Sequence, residues 1–139
     1  MESNLQPAQV ATTAMRLVQD GERNAWLGLF APDALLEDPV GHTPPRRGAD
    51  ALAAFWDTAV APLDDLRFDL RRVHEAPREA VALVDVAVRA PGGATATYDA
   101  AIHYTLDERG AIRSLRAFWD LPAVLTQLAD VAGRPGPGA

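Results

Sequence analysis

The chain has 139 residues, 48% of them hydrophobic, no cysteine and a formal net charge of −6. This length and composition predict one domain with one hydrophobic core, and the missing cysteines exclude disulfides and thiolate metal sites. The negative charge argues against binding to a nucleic-acid backbone, which needs a basic surface, and no apolar run approaches the ~20 residues of a membrane span.

The first half of the chain is predicted to be mostly helical. Residues 7–21 begin with a proline that suits a first helical turn, continue with apolar residues at helical spacing, and end on a glycine. A second, short helix is predicted over 26–30 and stops before Pro32, because the residue before a proline avoids the helical conformation. A short strand is predicted at 34–37, and a third helix lies within 48–62.

The second half is predicted to consist of strands. Apolar and charged residues alternate over 66–71, which is typical of a half-buried strand, and valines dominate 80–89. Further strands are predicted at 95–106 and 112–119. The segment between them, 107–110, has the composition of a hairpin turn.

Helices followed by antiparallel strands predict an α+β fold, in which three N-terminal helices pack on one face of a curved antiparallel sheet. A sheet that curls around helices leaves an apolar pocket at its open end, where a small molecule can bind. The stretch 133–139 alternates glycine and proline and is predicted to be a disordered tail, so we expect the single folded domain to cover 1–132.

Metal and cofactor sites have little support in the sequence. His42, His74 and His103 lie far apart and form no HxxxH or HxH pair, so we expect no metal and no cofactor. The N-terminal residues have neither the basic start nor the apolar stretch of a signal peptide, which predicts a cytoplasmic protein.

Three stretches carry a resemblance to a known family. They are 25–41 (AWLGLFAPDALLEDPVG), 48–56 (GADALAAFW) and 106–120 (LDERGAIRSLRAFWD). In order and spacing they resemble the ketosteroid-isomerase branch of the nuclear transport factor 2-like (SnoaL-like) superfamily along nearly the whole chain. The resemblance implies a cone-shaped sheet wrapped around three helices. The same superfamily holds isomerases, polyketide cyclases, epoxide hydrolases and non-catalytic domains.

The resemblance assigns roles to particular residues. It implies that Asp38, in the Glu-Asp-Pro motif, is the general base and that Trp119 lies beside it. The two oxyanion donors of the family match Ala14 and Ile102, which cannot donate a hydrogen bond. Because one such donor is worth roughly 2.7–4 kcal/mol in other enzymes, the resemblance implies at most a weak steroid isomerase.

The residues themselves leave two interpretations of Asp38. Burial beside apolar groups raises the pKa of a carboxyl and makes it a better base, whereas an aspartate before a proline is also common in exposed turns. The resemblance to the family favours the pocket. Its predicted wall consists of Ala14, Phe30, Phe55, Trp56, Ile102, Tyr104, Leu115 and Trp119.

Other carboxylates suggest further chemistry. Asp64 and Asp65 lie where epoxide-opening relatives place a second acid, and one of them could protonate an epoxide while Asp38 activates the nucleophile. A solvated loop after the third helix is the simpler interpretation. Asp85 is predicted either to line the pocket mouth or to pair with an arginine.

Asp99 and His103 share one face of a predicted strand, opposite Tyr98, Ile102 and Tyr104. In the family the face of Ile102 points into the pocket, so we expect Asp99 and His103 to point outward and to contact a second copy in a homodimer.

The leading hypothesis is an enzyme that uses Asp38 as general base on an apolar cyclic substrate, steroid- or polyketide-like. The alternatives are an epoxide hydrolase or epoxide-opening cyclase with two carboxylates, and a non-catalytic binder of small hydrophobic molecules.

Overall fold

The computed structural model describes residues 6–133, with side chains described as far as residue 129. Its elements in chain order are α1 (Pro7–Gln19), α2 (Arg23–Leu27), β1 (Phe30–Glu37), β2 (Arg46–Arg47), α3 (Ala49–Phe55) continued by a π-helical turn (Trp56–Val60), β3 (Asp65–Ala76), β4 (Glu79–Arg89), β5 (Thr95–Leu106), β6 (Ile112–Phe118) and α4 (Leu121–Gly133).

The six strands form one curved, unclosed sheet in the order β2-β1-β6-β5-β4-β3. Only β1 and β6 run parallel, and every other neighbouring pair is antiparallel. The α+β prediction is therefore confirmed, with the helices on one side of the sheet. None of the described helices is long and apolar enough to span a membrane.

The core lies between α1 and the concave face of the sheet. Helix α1 presents Val10, Ala11 and Ala14 to this face, each at most 3% exposed. Alternate residues of β4, such as Ala82 and Val84, point toward the helix and are at most 1% exposed. Small residues on both surfaces let helix α1 pack close to the sheet. The unfilled space therefore lies farther along the strands, toward the ends of β1 and β6, which Asp38 and Trp119 follow.

The prediction of a helix that includes Phe30 is wrong, because β1 begins at that residue and continues through Pro32. A proline removes one hydrogen bond from a sheet, which normally excludes it from inner strands. Here the pairing of β1 with β6 shifts register between Phe30 and Leu35, so the proline lies in the irregular part of the ladder.

Helix α4 has no counterpart in the sequence analysis, although its start carries the usual signals. The Asp120 carboxylate accepts a hydrogen bond from the Ala123 N–H at 3.0 Å, and Pro122 lies in the first turn. The predicted disordered tail lies, apart from Gly133, outside the described residues.

Candidate active site

A cavity of about 330 Å³ lies between the concave face of the sheet and the helices. Aliphatic and phenyl side chains form nearly all of its wall. Six polar or indole side chains also line it, namely Trp26, Asp38, Thr43, Tyr98, Tyr104 and Trp119. Asp38 is the only charged residue in the described wall.

Strand alternation turns Asp38 toward this cavity. Leu36 points inward and is 1% exposed, whereas the next carboxylate, Glu37, accepts a 2.8 Å hydrogen bond from Arg116 Nε. Asp38 follows on the inward side, one residue beyond the end of β1. The sheet thus separates two consecutive acids, one in an ion pair and one in the cavity.

The turn after Asp38 is held from two directions. The Val40 N–H donates to the Ala117 carbonyl at 2.8 Å, which ties the turn to β6. The Thr43 hydroxyl lies 3.2 Å from the carbonyl of Asp38 and 3.3 Å from that of Pro39, to which it can donate. These bonds fix the backbone that carries the carboxylate, and they occupy the hydroxyl of Thr43.

Trp119 Nε1 donates to Asp38 Oδ1 at 2.6 Å. The two residues meet because β1 and β6 are parallel neighbours, with Glu37 opposite Arg116, so the segments that follow both strands leave the sheet at the same edge. The indole is held in turn by Tyr98, whose ring stacks on it at 4.7 Å between centroids and an angle of 29°. One carboxylate oxygen is therefore engaged, and Oδ2 has no hydrogen-bond partner among the described residues.

Burial raises the pKa of Asp38 to about 6, and the hydrogen bond from Trp119 opposes part of this rise. The side chain is still partly exposed, but the exposed part faces the cavity. Burial, and secondarily the charge of Asp38, also raises the pKa of Tyr98 and Tyr104. At neutral pH the cavity therefore holds a carboxylate base and two protonated hydroxyls.

Trp119→Phe is expected to raise the pKa of Asp38 above about 6, because it removes the donor that stabilises the carboxylate and keeps a ring for Tyr98 to stack on. The pKa is measured by carbon-13 NMR of the Asp38 carboxyl during a pH titration. Tyr98→Phe, which retains both the ring and the indole bond, is the control. An unchanged midpoint in Trp119→Phe would show that the bond does not stabilise the charge.

Most of the predicted wall residues lie on the cavity. These are Ala14, Phe55, Ile102, Tyr104, Leu115 and Trp119. Phe30 and Trp56 instead lie behind the wall and pack against Trp26, with ring centroids 4.6 and 5.3 Å away. Phe30 is there because β1 starts earlier than predicted. Ala14 and Ile102 contribute no polar side-chain atom to the cavity.

The structure places the other predicted acids outside the cavity. The Asp64 N–H donates to the Arg89 carbonyl at 2.8 Å, and the Asp65 carboxylate accepts from Arg67 Nε at 3.1 Å. Their neighbours Leu63 and Leu66 form the wall instead.

Asp85, Asp99 and His103 also lie away from the cavity. Asp85 accepts a 3.4 Å hydrogen bond from Arg71, one of the two arrangements expected for it. His103 Nε2 lies 2.8 Å from Glu79 Oε1, and Asp99 is exposed. Nothing in the described chain brings three metal-binding side chains together.

Helix α4 supplies a part of the site that the sequence analysis missed. Four of its apolar side chains line the cavity at its open end, namely Leu121, Val124, Leu125 and Leu128. The Gln127 side chain attaches the helix to β5, where it accepts from the Thr97 N–H at 2.9 Å and donates to the Thr97 carbonyl at 2.8 Å. The apolar spacing after Pro122 is the signal that could have revealed this cover.

The SnoaL-like domain family matches residues 11–115. The chain belongs to this family. The match spans α1 to the middle of β6 and therefore includes Asp38, but it ends before Trp119 and α4.

Solved structures show the same fold with related sequences. The Delta 5-3-ketosteroid isomerase from Mycobacterium sp. is 32% identical, with a TM-score of 0.78 over 86% of this chain and 97% of that chain. The protein RV0760c from Mycobacterium tuberculosis, in complex with estradiol-17beta-hemisuccinate, is 27% identical, with a TM-score of 0.77 over 85% and 97%. The epoxide hydrolase/cyclase-like enzyme SalBIII shares the fold at 21% identity, with a TM-score of 0.75 over 84% and 92%.

A curated sequence is also similar to the chain. The error-prone DNA polymerase from Pseudomonas fluorescens (strain Pf0-1) is 30% identical in an alignment 130 residues long that covers 81% of this chain and 13% of that protein. The chain thus spans only a small part of the length of this relative, and the match says nothing about polymerase activity here.

Proposed function

We propose that the protein is a ketosteroid-isomerase-like enzyme that uses Asp38 as general base on an apolar cyclic substrate, steroid- or polyketide-like. One observation carries this proposal: a single carboxylate faces an apolar cavity, with one oxygen bound by Trp119 and a pKa near 6. A general base works best when its pKa is near the working pH. A carboxylate with this pKa is ionised at pH 7 and is more basic than an ordinary aspartate.

The proposed reaction begins at Oδ2, the oxygen that Trp119 leaves free. Oδ2 takes a proton from a carbon next to a carbonyl, and the C–H electron pair moves into the carbonyl to give an enolate. The resulting carboxylic acid then returns the proton to another carbon of the conjugated system, so that a double bond shifts and Asp38 is regenerated. The same oxygen could instead remove a proton from a substrate hydroxyl and so activate it for ring closure.

The wall of the cavity and the relatives support an apolar cyclic substrate. Aliphatic and aromatic side chains surround Asp38 and contribute no second charge. One similar protein is a ketosteroid isomerase, and another was crystallised with a steroid ester. Because Ala14 and Ile102 provide no donor, we do not propose an efficient steroid isomerase.

The structure supports the two alternative functions to different degrees. Epoxide opening with two carboxylates gains no support, because Asp64 and Asp65 lie outside the cavity wall. Binding without catalysis uses the same cavity, so an experiment has to separate it from the proposed enzyme.

The proposal is tested with 2-tetralone, a flat bicyclic ketone whose α-protons exchange readily. In deuterated buffer at pH 8, we expect the protein to accelerate loss of the α-proton NMR signal over the buffer rate, with saturation at high ketone concentration. Asp64→Asn, which removes a carboxylate outside the cavity, is expected to retain the full acceleration. Saturable binding of 2-tetralone with exchange no faster than in buffer would favour the non-catalytic binder.

Homodimer formation and the cytoplasmic location remain predictions. Phe118, which is 43% exposed on the outer side of the sheet, is compatible with a contact between two copies.

A further inference from the structure

Two of the five side-chain hydrogen-bond donors on the described wall of the cavity already have partners. The Trp119 N–H binds Asp38, and the Thr43 hydroxyl lies within hydrogen-bond distance of two main-chain carbonyls. The hydroxyls of Tyr98 and Tyr104 make no hydrogen bond within the described residues, and neither is sealed away from the cavity. They are therefore the donors that a ligand can reach.

The two tyrosines lie at opposite ends of the cavity. Tyr98 stacks on Trp119 near the open end and is half-buried. Tyr104 is 2% exposed and belongs to an inward-facing layer with Leu115 and Leu36, which pair across β5, β6 and β1. Tyr104 thus marks the closed end.

Asp38 lies one layer nearer the open end than Tyr104. It follows Leu36 by two residues, so the two layers are separated by roughly 7 Å along the strands. If the oxygen of a ligand binds at Tyr104, the ligand carbon atoms next to that oxygen therefore lie at the level of Asp38. This is the arrangement that removal of a proton near a carbonyl requires.

A second donor lies at the same end. Trp26 lines the cavity at 2% exposure, and its Nε1 is the one buried side-chain nitrogen or oxygen in the described residues without a hydrogen-bond partner. Burying an unpaired donor is unfavourable. This nitrogen is sealed from the cavity, so Tyr104 is the donor that a ligand can reach at the closed end. The chemical complement of a free hydroxyl donor is an acceptor oxygen.

We propose that Tyr104 donates a hydrogen bond to a carbonyl oxygen of the substrate at the closed end of the cavity, and so supplies the donor that Ala14 and Ile102 lack. This inference rests on the proposed function and narrows its substrate class. The substrate is an apolar cyclic ketone whose oxygen enters the cavity first. The same hydrogen bond stabilises the enolate oxygen as it gains charge.

The test compares 2-tetralone with tetralin, which has the same bicyclic frame without the oxygen. Binding to the wild-type protein and to Tyr104→Phe is measured by isothermal titration calorimetry. We expect Tyr104→Phe to weaken 2-tetralone binding about tenfold and to leave tetralin binding within about twofold. Tyr98→Phe, which removes the other free hydroxyl, tests the competing assignment: a larger loss of 2-tetralone binding there than in Tyr104→Phe would assign the carbonyl to Tyr98. Asp64→Asn, which changes a side chain outside the cavity, is the control and is expected to change the binding of neither ligand.

An infrared measurement provides a second readout that a merely structural role would not change. The carbonyl band of bound 2-tetralone is expected at lower frequency in the wild-type protein and in Tyr98→Phe than in Tyr104→Phe. Equal weakening of both ligands in Tyr104→Phe, or a band that shifts with Tyr98→Phe instead, would overturn the inference.

Failure of this inference can be told apart from failure of the proposed function. If the wild-type protein exchanges no α-protons but Tyr104→Phe selectively weakens ketone binding, the catalytic proposal fails and the assignment of Tyr104 holds. If exchange occurs and depends on Asp38 while Tyr104→Phe binds 2-tetralone normally, only the assignment of Tyr104 fails.

Discussion

Asp38→Asn is expected to slow α-proton exchange of 2-tetralone by about 10²–10⁴-fold, the range that a positioned general base contributes. Asparagine has nearly the same shape, and its amide oxygen can still accept the hydrogen bond from Trp119 Nε1 that Asp38 Oδ1 accepts at 2.6 Å. The substitution therefore removes the base and preserves its position. Exchange is followed by NMR at pH 8, where the wild-type carboxylate is ionised.

Two comparisons make this result specific to Asp38. Binding of tetralin, which has no carbonyl, shows whether the cavity of Asp38→Asn remains intact. Asp64→Asn loses the same charge outside the cavity and is expected to exchange at the wild-type rate. Undiminished exchange in Asp38→Asn would rule out Asp38 as the base.

Asp38→Asn is also expected to raise the free energy of unfolding by up to about 3 kcal/mol at pH 8. This figure follows from a pKa of about 6 in the folded protein against 3.8 for an ordinary aspartate, because one unit corresponds to 1.36 kcal/mol. The folded state disfavours the carboxylate, so the unfolded chain loses its proton first. Water in the cavity would reduce the gain, since it screens the charge that burial penalises.

The sign of this effect fixes its pH dependence. Since the folded-state pKa is raised, the contribution of Asp38 to stability is greatest below about pH 4. It declines as the pH rises through about 6, and stays low above that. Urea unfolding should therefore show a large advantage of Asp38→Asn at pH 8 and little or none near pH 4. A variant that is no more stable than the wild-type protein at pH 8 would mean that burial does not penalise this carboxylate.

Local patterns predicted the parts of the site that depend on strand alternation. The alternation in β5 correctly separates Ile102 and Tyr104, which are buried, from Asp99, which is exposed. Alternation depends only on neighbours in sequence, so a single sequence is enough to predict it. The choice of Asp38 rested on the resemblance of its Glu-Asp-Pro motif to the family, and the structure turns this carboxylate into the cavity.

The rest of the site depends on register and on distant contacts. The stacking of Tyr98 on Trp119 requires the pairing of β5 with β6, which no local pattern specifies. Asp64 had a plausible spacing, but its main chain is bonded to Arg89, and the neighbours Leu63 and Leu66 line the cavity in place of its carboxylate. Helix α4 starts at local signals, Asp120 and Pro122, but its place over the cavity depends on the distant contact of Gln127 with Thr97, which no local pattern specifies.

The titration of the Asp38 carboxyl tests the central claim most directly, because it requires no knowledge of the substrate. The side-chain resonance is observed by NMR in protein labelled with carbon-13 aspartate and is identified by its absence from Asp38→Asn. We expect a midpoint near pH 6, because the carboxylate lies in an apolar cavity and one indole N–H only partly offsets its burial. A midpoint near pH 4, the value of an exposed aspartate, would contradict this expectation.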